Sequence, residues 1–397
     1  MGGRRVRDAE RRARLGWRHC LAGAARAADV VTVARGLVTL HSTDAASVYL
    51  AAWARLDPAA GDPMELLPAE LYERRTLVRM LGMRRTVYVV PAELVPVVQA
   101  SSTRSIAVQE RRRLLQLLTE AGVAADPAGW LADVEVATLA ALAERGEALA
   151  TELSAAVPGL REQLTMAAGK AYEGRIGVST RVLFLLAADG HIVRGRPRGS
   201  WLSSQYRWAP AATWLPGGVA ELTPEAARAE LVRCWLASYG PGTVADLKWW
   251  TGWTVGALKP ALAAAGAVEV ELDGGGTGLL LPDDADPVPE PGPWVALLPA
   301  LDPTVMGWSG RGWYLGDYGP ELFDRSGNPG PTVWCDGRIV GGWAQRAGGE
   351  VVHHLFEDIG AEATAAVAAE ADRLGRWLGS TRVTPRFRTP LERKLSS

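Results

Sequence analysis

Three arginines, Arg194, Arg196 and Arg198, occupy every second position of a short segment that continues into Trp201, Tyr206, Arg207 and Trp208. Alternate side chains of an extended chain share one face, so three guanidinium groups would form a row suited to bidentate contact with phosphate. Flat rings beside them suit unstacked bases as well as a protein core. Other chemistry has less to stand on. Among five histidines only His353 and His354 adjoin, and neighbours in a strand point to opposite faces, so no metal site is expected. Cys20, Cys234 and Cys335 are far apart and odd in number, which leaves neither a disulfide framework nor a Cys-x-x-Cys knuckle. No glycine-rich phosphate loop follows a strand pattern and no G-x-S-x-G motif occurs, so no cofactor is expected either.

The arginine row needs elements to hold it, and residues 174–208 supply them. Thr180 can cap a helix that carries Arg181 and the apolar run Val182 to Leu186, and Asp189-Gly190 can turn the chain out of it. Ile192 and Val193 then open a hairpin, and a helix followed by such a hairpin is the anatomy of a winged helix. A second, more complete example occupies residues 222–281. Thr223-Pro224 starts one helix that ends at Tyr239-Gly240, Thr243 a second with Leu247 and Trp250, and Thr254 a third that stops at Gly266. Val268, Val270 and Leu272 alternate into a turn at residues 273–276, and the chain returns through Leu279 and Leu280.

An earlier stretch, residues 38–91, has Tyr49, Ala52, Trp53 and Leu56 at helical spacing. It continues with a helical run through Leu77 and Met80, then Arg84 and Arg85 before an alternating strand at residues 86–90. The expected class is α+β: three tandem winged helices, then a small C-terminal β-barrel with a closing helix. The boundaries read as 1–125, 126–215, 216–283 and 284–397, with a Pro/Asp-rich linker at residues 282–293. Barrel strands are expected at residues 295–298, 313–315, 332–335, 339–344 and 351–356, and the closing helix at 361–378.

With 397 residues, 48% apolar and 22% charged, the composition is that of a globular chain of several domains. No apolar run approaches the ~20 residues of a membrane span. The arginine-rich start lacks an apolar stretch behind it, which points to a cytoplasmic, nucleoid-associated protein. A net charge of −1 hides an asymmetry: residues 1–210 hold 28 Lys+Arg against 21 Asp+Glu, leaving 15 against 23 for residues 211–397. Codon bias explains arginine over lysine but not the change of sign. A DNA-facing first half and a structural second half are the economical reading.

Residues 36–56, GLVTLHSTDAASVYLAAWARL, resemble the N-terminal signature of the tandem winged-helix DNA glycosylases of the AlkZ/YcaQ family. The resemblance continues through RTLVRMLGMRRTVYVVP, STRVLFLL, RWAP, YGPGTVADLKWWTGW, LPALDPTVMGW and VWCDGRIVGGW, in the family's order. It implies a concave basic face for damaged double-stranded DNA, a monomer, and excision of bulky or crosslinked alkylpurines. In that family a Gln-apolar-Gln or Gln-apolar-Asp motif positions the hydrolytic water. Here His41 and Thr43 stand at its two positions, with Ser42 between.

An alkylated purine is already a cationic leaving group, so neutral His41 could serve as base, Thr43 could orient the water, and Asp44 could steady the developing cation. Set against this, Thr43 or Ser42 is a good N-cap for a helix beginning at Asp44, and His41 could be a satisfied core imidazole. The DNA-binding set comprises Arg79, Arg84, Arg85, Arg181, Arg194, Arg196, Arg198 and Arg207, with Trp201 and Tyr206 as stacking candidates. A lyase step would need an amine, and the first 210 residues hold one lysine, Lys170, so the expected enzyme is monofunctional. The rival reading is a DNA-binding protein without catalysis, a regulator or a lesion-shielding factor.

Overall fold

The computed structural model describes residues 4–166 and 174–397; Lys170 lies outside them. Three small sheets share one connection pattern. In the first, Val87–Pro91 lies between Leu40–His41 and Leu77–Leu81. In the second, Tyr206–Pro210 lies between Ala148–Leu149 and Ile192–Pro197. The third pairs Val268–Leu272 with Thr277–Leu280, and Gly242, between two helices, bridges to Leu279 as the short strands do elsewhere. The N-terminal strand Arg5–Val6 extends this third sheet in parallel.

Where caps are local and complete, the elements form as expected. Thr223, Thr243 and Thr254 each accept a backbone N–H at the start of Pro224–Tyr239, Val244–Thr251 and Val255–Ala265, and Gly266 ends the last helix at φ 71°. Three expectations are corrected. Leu77 and Met80 lie on a strand, not a helix: Leu77, Val78 and Arg79 are all buried, so neither face shows the polar alternation that marks a strand. Thr180 is inside the helix Val178–Ala188, whose N-cap is Gly177. The C-terminal barrel is an open sheet of four consecutive antiparallel strands, Val295–Leu298, Thr332–Cys335, Arg338–Gln345 and Val351–Leu355. Residues 313–315 belong to a single helical turn, Gly312–Leu315, so the fifth strand is missing and the outer strands do not meet. The helices Ala361–Leu378 and Pro390–Ser396 pack on this sheet.

One apolar core runs from Leu15 to Leu391 through the first sheet, the helices of the third and the C-terminal sheet, while the second sheet and its helices enclose a separate core around Leu142 and Val182. At the centre of the larger core Arg55 and Asp302 form a bidentate ion pair at 2.9 and 2.7 Å with no exposure on either side. The guanidinium also donates to the carbonyls of His19 and Ala51 and to Thr304 Oγ1, so all five of its N–H groups are used.

Candidate functional site

The segment His41 to Asp44 ends a strand and starts a helix, and that position decides where its side chains go. His41 pairs with Tyr88, and the N–H of Ser42 extends the ladder to the carbonyl of Val87 at 2.9 Å. Alternation therefore sends His41 to one face and Ser42 to the other. His41 is 7% exposed, edge-on to Tyr88 at 5.5 Å between ring centres, and its Nδ1 has no partner among the described residues. Burial, and then the nearby Arg84 guanidinium, push its pKa down to about 3. Such an imidazole is neutral but a poor base, and it does not line the pocket described below; both observations weigh against the general-base expectation.

Asp44, not Thr43 or Ser42, caps the helix Ala45–Trp53. One carboxylate oxygen accepts from Ala46 N–H at 3.1 Å and the other from Arg386 N–H at 2.9 Å. Asp44 is held as a cap and is not among the residues that line the pocket described next. Thr43 follows the strand's last paired residue and is freed from its alternation. With Ser42 it reaches a cavity of about 520 Å³, also lined by Arg194, Arg198, Gln205, Tyr206, Trp208 and Arg386.

Behind that pocket Arg79 is buried on the central hairpin of the first sheet. Its Nε donates to Ser42 Oγ at 2.9 Å, one terminal nitrogen donates to Tyr72 Oη at 3.0 Å, and its guanidinium lies 4.5 Å from the Tyr206 ring centre. All these partners are neutral. Arg194, partly buried alongside, has its pKa lowered to about 10 by burial and by Arg79. A buried and a half-buried guanidinium thus sit side by side with no carboxylate between them, which disfavours the charge on Arg194. The pocket lining contains no Asp, Glu or His.

The arginine row does not keep one face. Arg194 is opposite Trp208 and Pro197 opposite Tyr206, so one strand has an extra residue, and this bulge reverses the alternation. Arg194 lines the pocket from within the strand and Arg198 from beyond its end at Pro197, whereas Arg196 turns to the Tyr72 ring at 4.9 Å and to Glu73 at 3.2 Å. Trp201 is not a free stacking platform: it packs against Tyr49 and Trp377 at 4.8 and 6.1 Å, which pins the hairpin to the first unit and to the C-terminal helix.

Arg85 and Arg181 share Glu110 at 2.8 and 3.2 Å, Arg207 pairs with Glu152 at 3.6 Å, and Arg84 covers the Trp249 ring at 4.1 Å. None of these four lines the site. Ser42, Gln205 and Arg386 line it and were not singled out from the sequence. Ser42 was hidden by its place between two better candidates, and Arg386 lies in the acidic half, 342 residues from the carboxylate that holds it.

A larger cavity of about 700 Å³ lies between Trp294, Cys335 and the start of Ala361–Leu378. Its charged lining, Arg26 against Asp336, Glu362 and Glu370, is net acidic and suits a polyanion poorly. Among the described residues no three His, Cys, Asp or Glu side chains converge as a metal site, the cysteines are unbridged, and no helix is long and apolar enough to cross a membrane.

Aromatic rings and arginines line this pocket and no acid does, a lining whose charge suits an anion. Residues 34–377 match the family model described as DNA glycosylase AlkZ-like, and the chain belongs to this AlkZ-like DNA glycosylase family. Among solved structures it is similar to Streptomyces sahachiroi DNA glycosylase AlkZ, with a TM-score of 0.70 at 19% identity over 94% of this chain and 98% of that one. At that identity the likeness is one of fold. No curated protein sequence matches the chain significantly.

Proposed function

We propose that this protein is a monofunctional DNA repair glycosylase that hydrolyses the N-glycosidic bond of bulky alkylated or crosslinked purines, acting as a monomer on damaged double-stranded DNA. The observation that carries this reading is the enclosed pair Arg79 and Arg194 beside an acid-free pocket, because a DNA phosphate would supply the missing counter-charge. Each three-stranded sheet with its helices is read as a winged helix, with units at 1–125, 126–215 and 216–283 and the C-terminal region at 284–397. The second unit's hairpin then forms one wall of the DNA groove.

The chemistry asks little of the protein, since an N3- or N7-alkylated purine carries its own positive charge. Ser42 Oγ has one lone pair occupied by Arg79 and a second free to accept a hydrogen bond from water, with no proton transferred to it. Thr43 can accept a hydrogen bond from the water's other hydrogen, so the water's own lone pair is left to attack the anomeric carbon. As the C–O bond forms, the C–N bond breaks and its electron pair neutralises the departing base. The water's proton passes to solvent. Arg79 is the positioning residue in this scheme, and the pocket arginines hold the flanking phosphates.

Lining without Asp, Glu or His also favours a second reading, binding without hydrolysis. Incubation with a duplex carrying N7-alkylguanine, scored for abasic sites after alkali, separates the two. Release is expected, and Ser42→Ala and Thr43→Ala should each slow it on the order of a hundredfold by loosening the attacking water. Unchanged release in both variants removes the site assignment. Salt-dependent binding with no release from any lesion moves the protein to the shielding reading.

A further inference from the structure

The chain's last segment, residues 383–397, lies beyond the stretch matched by the family model, which ends at residue 377, yet it supplies a wall of the pocket. Arg386 is anchored there twice, through its N–H on Asp44 and through its guanidinium, which donates to the carbonyl of Thr43 at 3.3 Å. The rest of that exposed side chain stands on the border of two depressions. One is the 520 Å³ pocket, and the other, of about 900 Å³, is lined by Arg325, Arg388 and Arg393 with Phe323 and Phe387.

One acid, Asp324, lines this second depression and Glu392 lies beside it, and both have hydrogen-bond partners of their own. Asp324 accepts the N–H groups of Ser326 and Asn328 and the Asn328 amide at 2.8 to 2.9 Å, and Glu392 is clamped by Arg388 at 2.6 and 3.0 Å. Arg325 and Arg393 form no ion pair among the described residues. From residue 383 onward the chain has four Lys and Arg against one Glu, inside a half whose net charge is −8. The positive charge is therefore local to this arm, and it begins where the pocket ends.

We infer that DNA leaving the site pocket continues across Arg386 onto the second depression, where Arg325 and Arg393 hold phosphates of the strand that flanks the damaged nucleotide. This rests on the reading that DNA occupies the pocket. An open, weakly apolar depression beside free guanidinium groups recognises charge and backbone spacing rather than the shape of a folded partner.

The test uses the full chain with Arg325→Glu and Arg393→Glu combined, and fluorescence anisotropy on duplexes with N7-alkylguanine at the centre or near either end. Loss of two phosphate contacts should weaken binding about tenfold or more near 0.15 M salt and make the slope of log affinity against log salt shallower by about 2. The difference between variant and wild type should vanish on the duplex truncated on one side of the lesion only. Wild-type affinity and slope on every duplex overturn the proposal, as does an equal loss on both truncated duplexes. Both side chains are exposed, so an unchanged unfolding midpoint certifies the fold; should the glutamates unfold the chain, the Gln pair reads the same slope. Wild type that binds DNA without releasing a base defeats the glycosylase reading while leaving this one standing, since the arm is read from binding alone. Wild type that binds no DNA defeats both.

Discussion

His41 illustrates how one residue can look chemical and serve structure. Its strand position buries it against Tyr88, and the cost is a stability that depends on pH. His41 at about 3 and His19, fully buried and held well below the ordinary value by burial and by Arg55, both stay neutral in the folded protein. The unfolded chain takes up their protons as the pH falls through about 6.5. Stability from this source is complete above that pH and is lost below it, on the order of 1.4 kcal/mol per pH unit for each histidine. Urea midpoints at pH 7, 6 and 5 should fall accordingly, and His41→Gln should flatten the fall; a midpoint independent of pH would contradict the burial of both rings. Ser42, one residue on, reaches the pocket because strand alternation sends it to the face opposite His41.

The hairpin Ile192–Pro197 and Tyr206–Pro210 carries the next lesson. A bulge divides its arginines into two kinds, so charge reversal at Arg198 should weaken duplex binding by about tenfold while reversal at Arg196, already paired with Glu73, costs less than half of that in log units. Equal losses would mean that the bulge does not persist on DNA. Much of this architecture could be read from residues. The threonine caps at Thr223, Thr243 and Thr254 are local signals, with the acceptor and the N–H it satisfies within three positions of each other. The strand at Leu77 was illegible because burial on both faces erases alternation, and the bulge because one extra residue leaves no mark in a string of arginines and glycine. Arg386 was illegible for another reason: charge summed over half a chain conceals a short basic arm, and its anchor on Asp44 is a contact only folding creates.

Across the molecule, the motif pieces that suggested the family meet in space. Arg55 of the first piece grips Asp302 of another, and Asp246 of a third accepts from Ser309 and Gly310 while closing the capping box with Thr243. These residues bind the first unit, the third unit and the C-terminal sheet into one core, and they are structural rather than catalytic. Asp302→Ala should destabilise the protein by about 3–5 kcal/mol in chemical denaturation, because it leaves a buried guanidinium without its carboxylate. A loss under 1 kcal/mol would show that water reaches the pair. The same ion pair orders events at the ribosome. Its two members are 247 residues apart, so a nascent chain that has produced every residue of the first sheet still carries Arg55 as a naked charge in its future core. Burying Arg55 without Asp302 would leave an uncompensated charge, so the first unit is expected to reach its final packing after Asp302 has emerged, which pulse proteolysis of chains truncated before residue 302 would check.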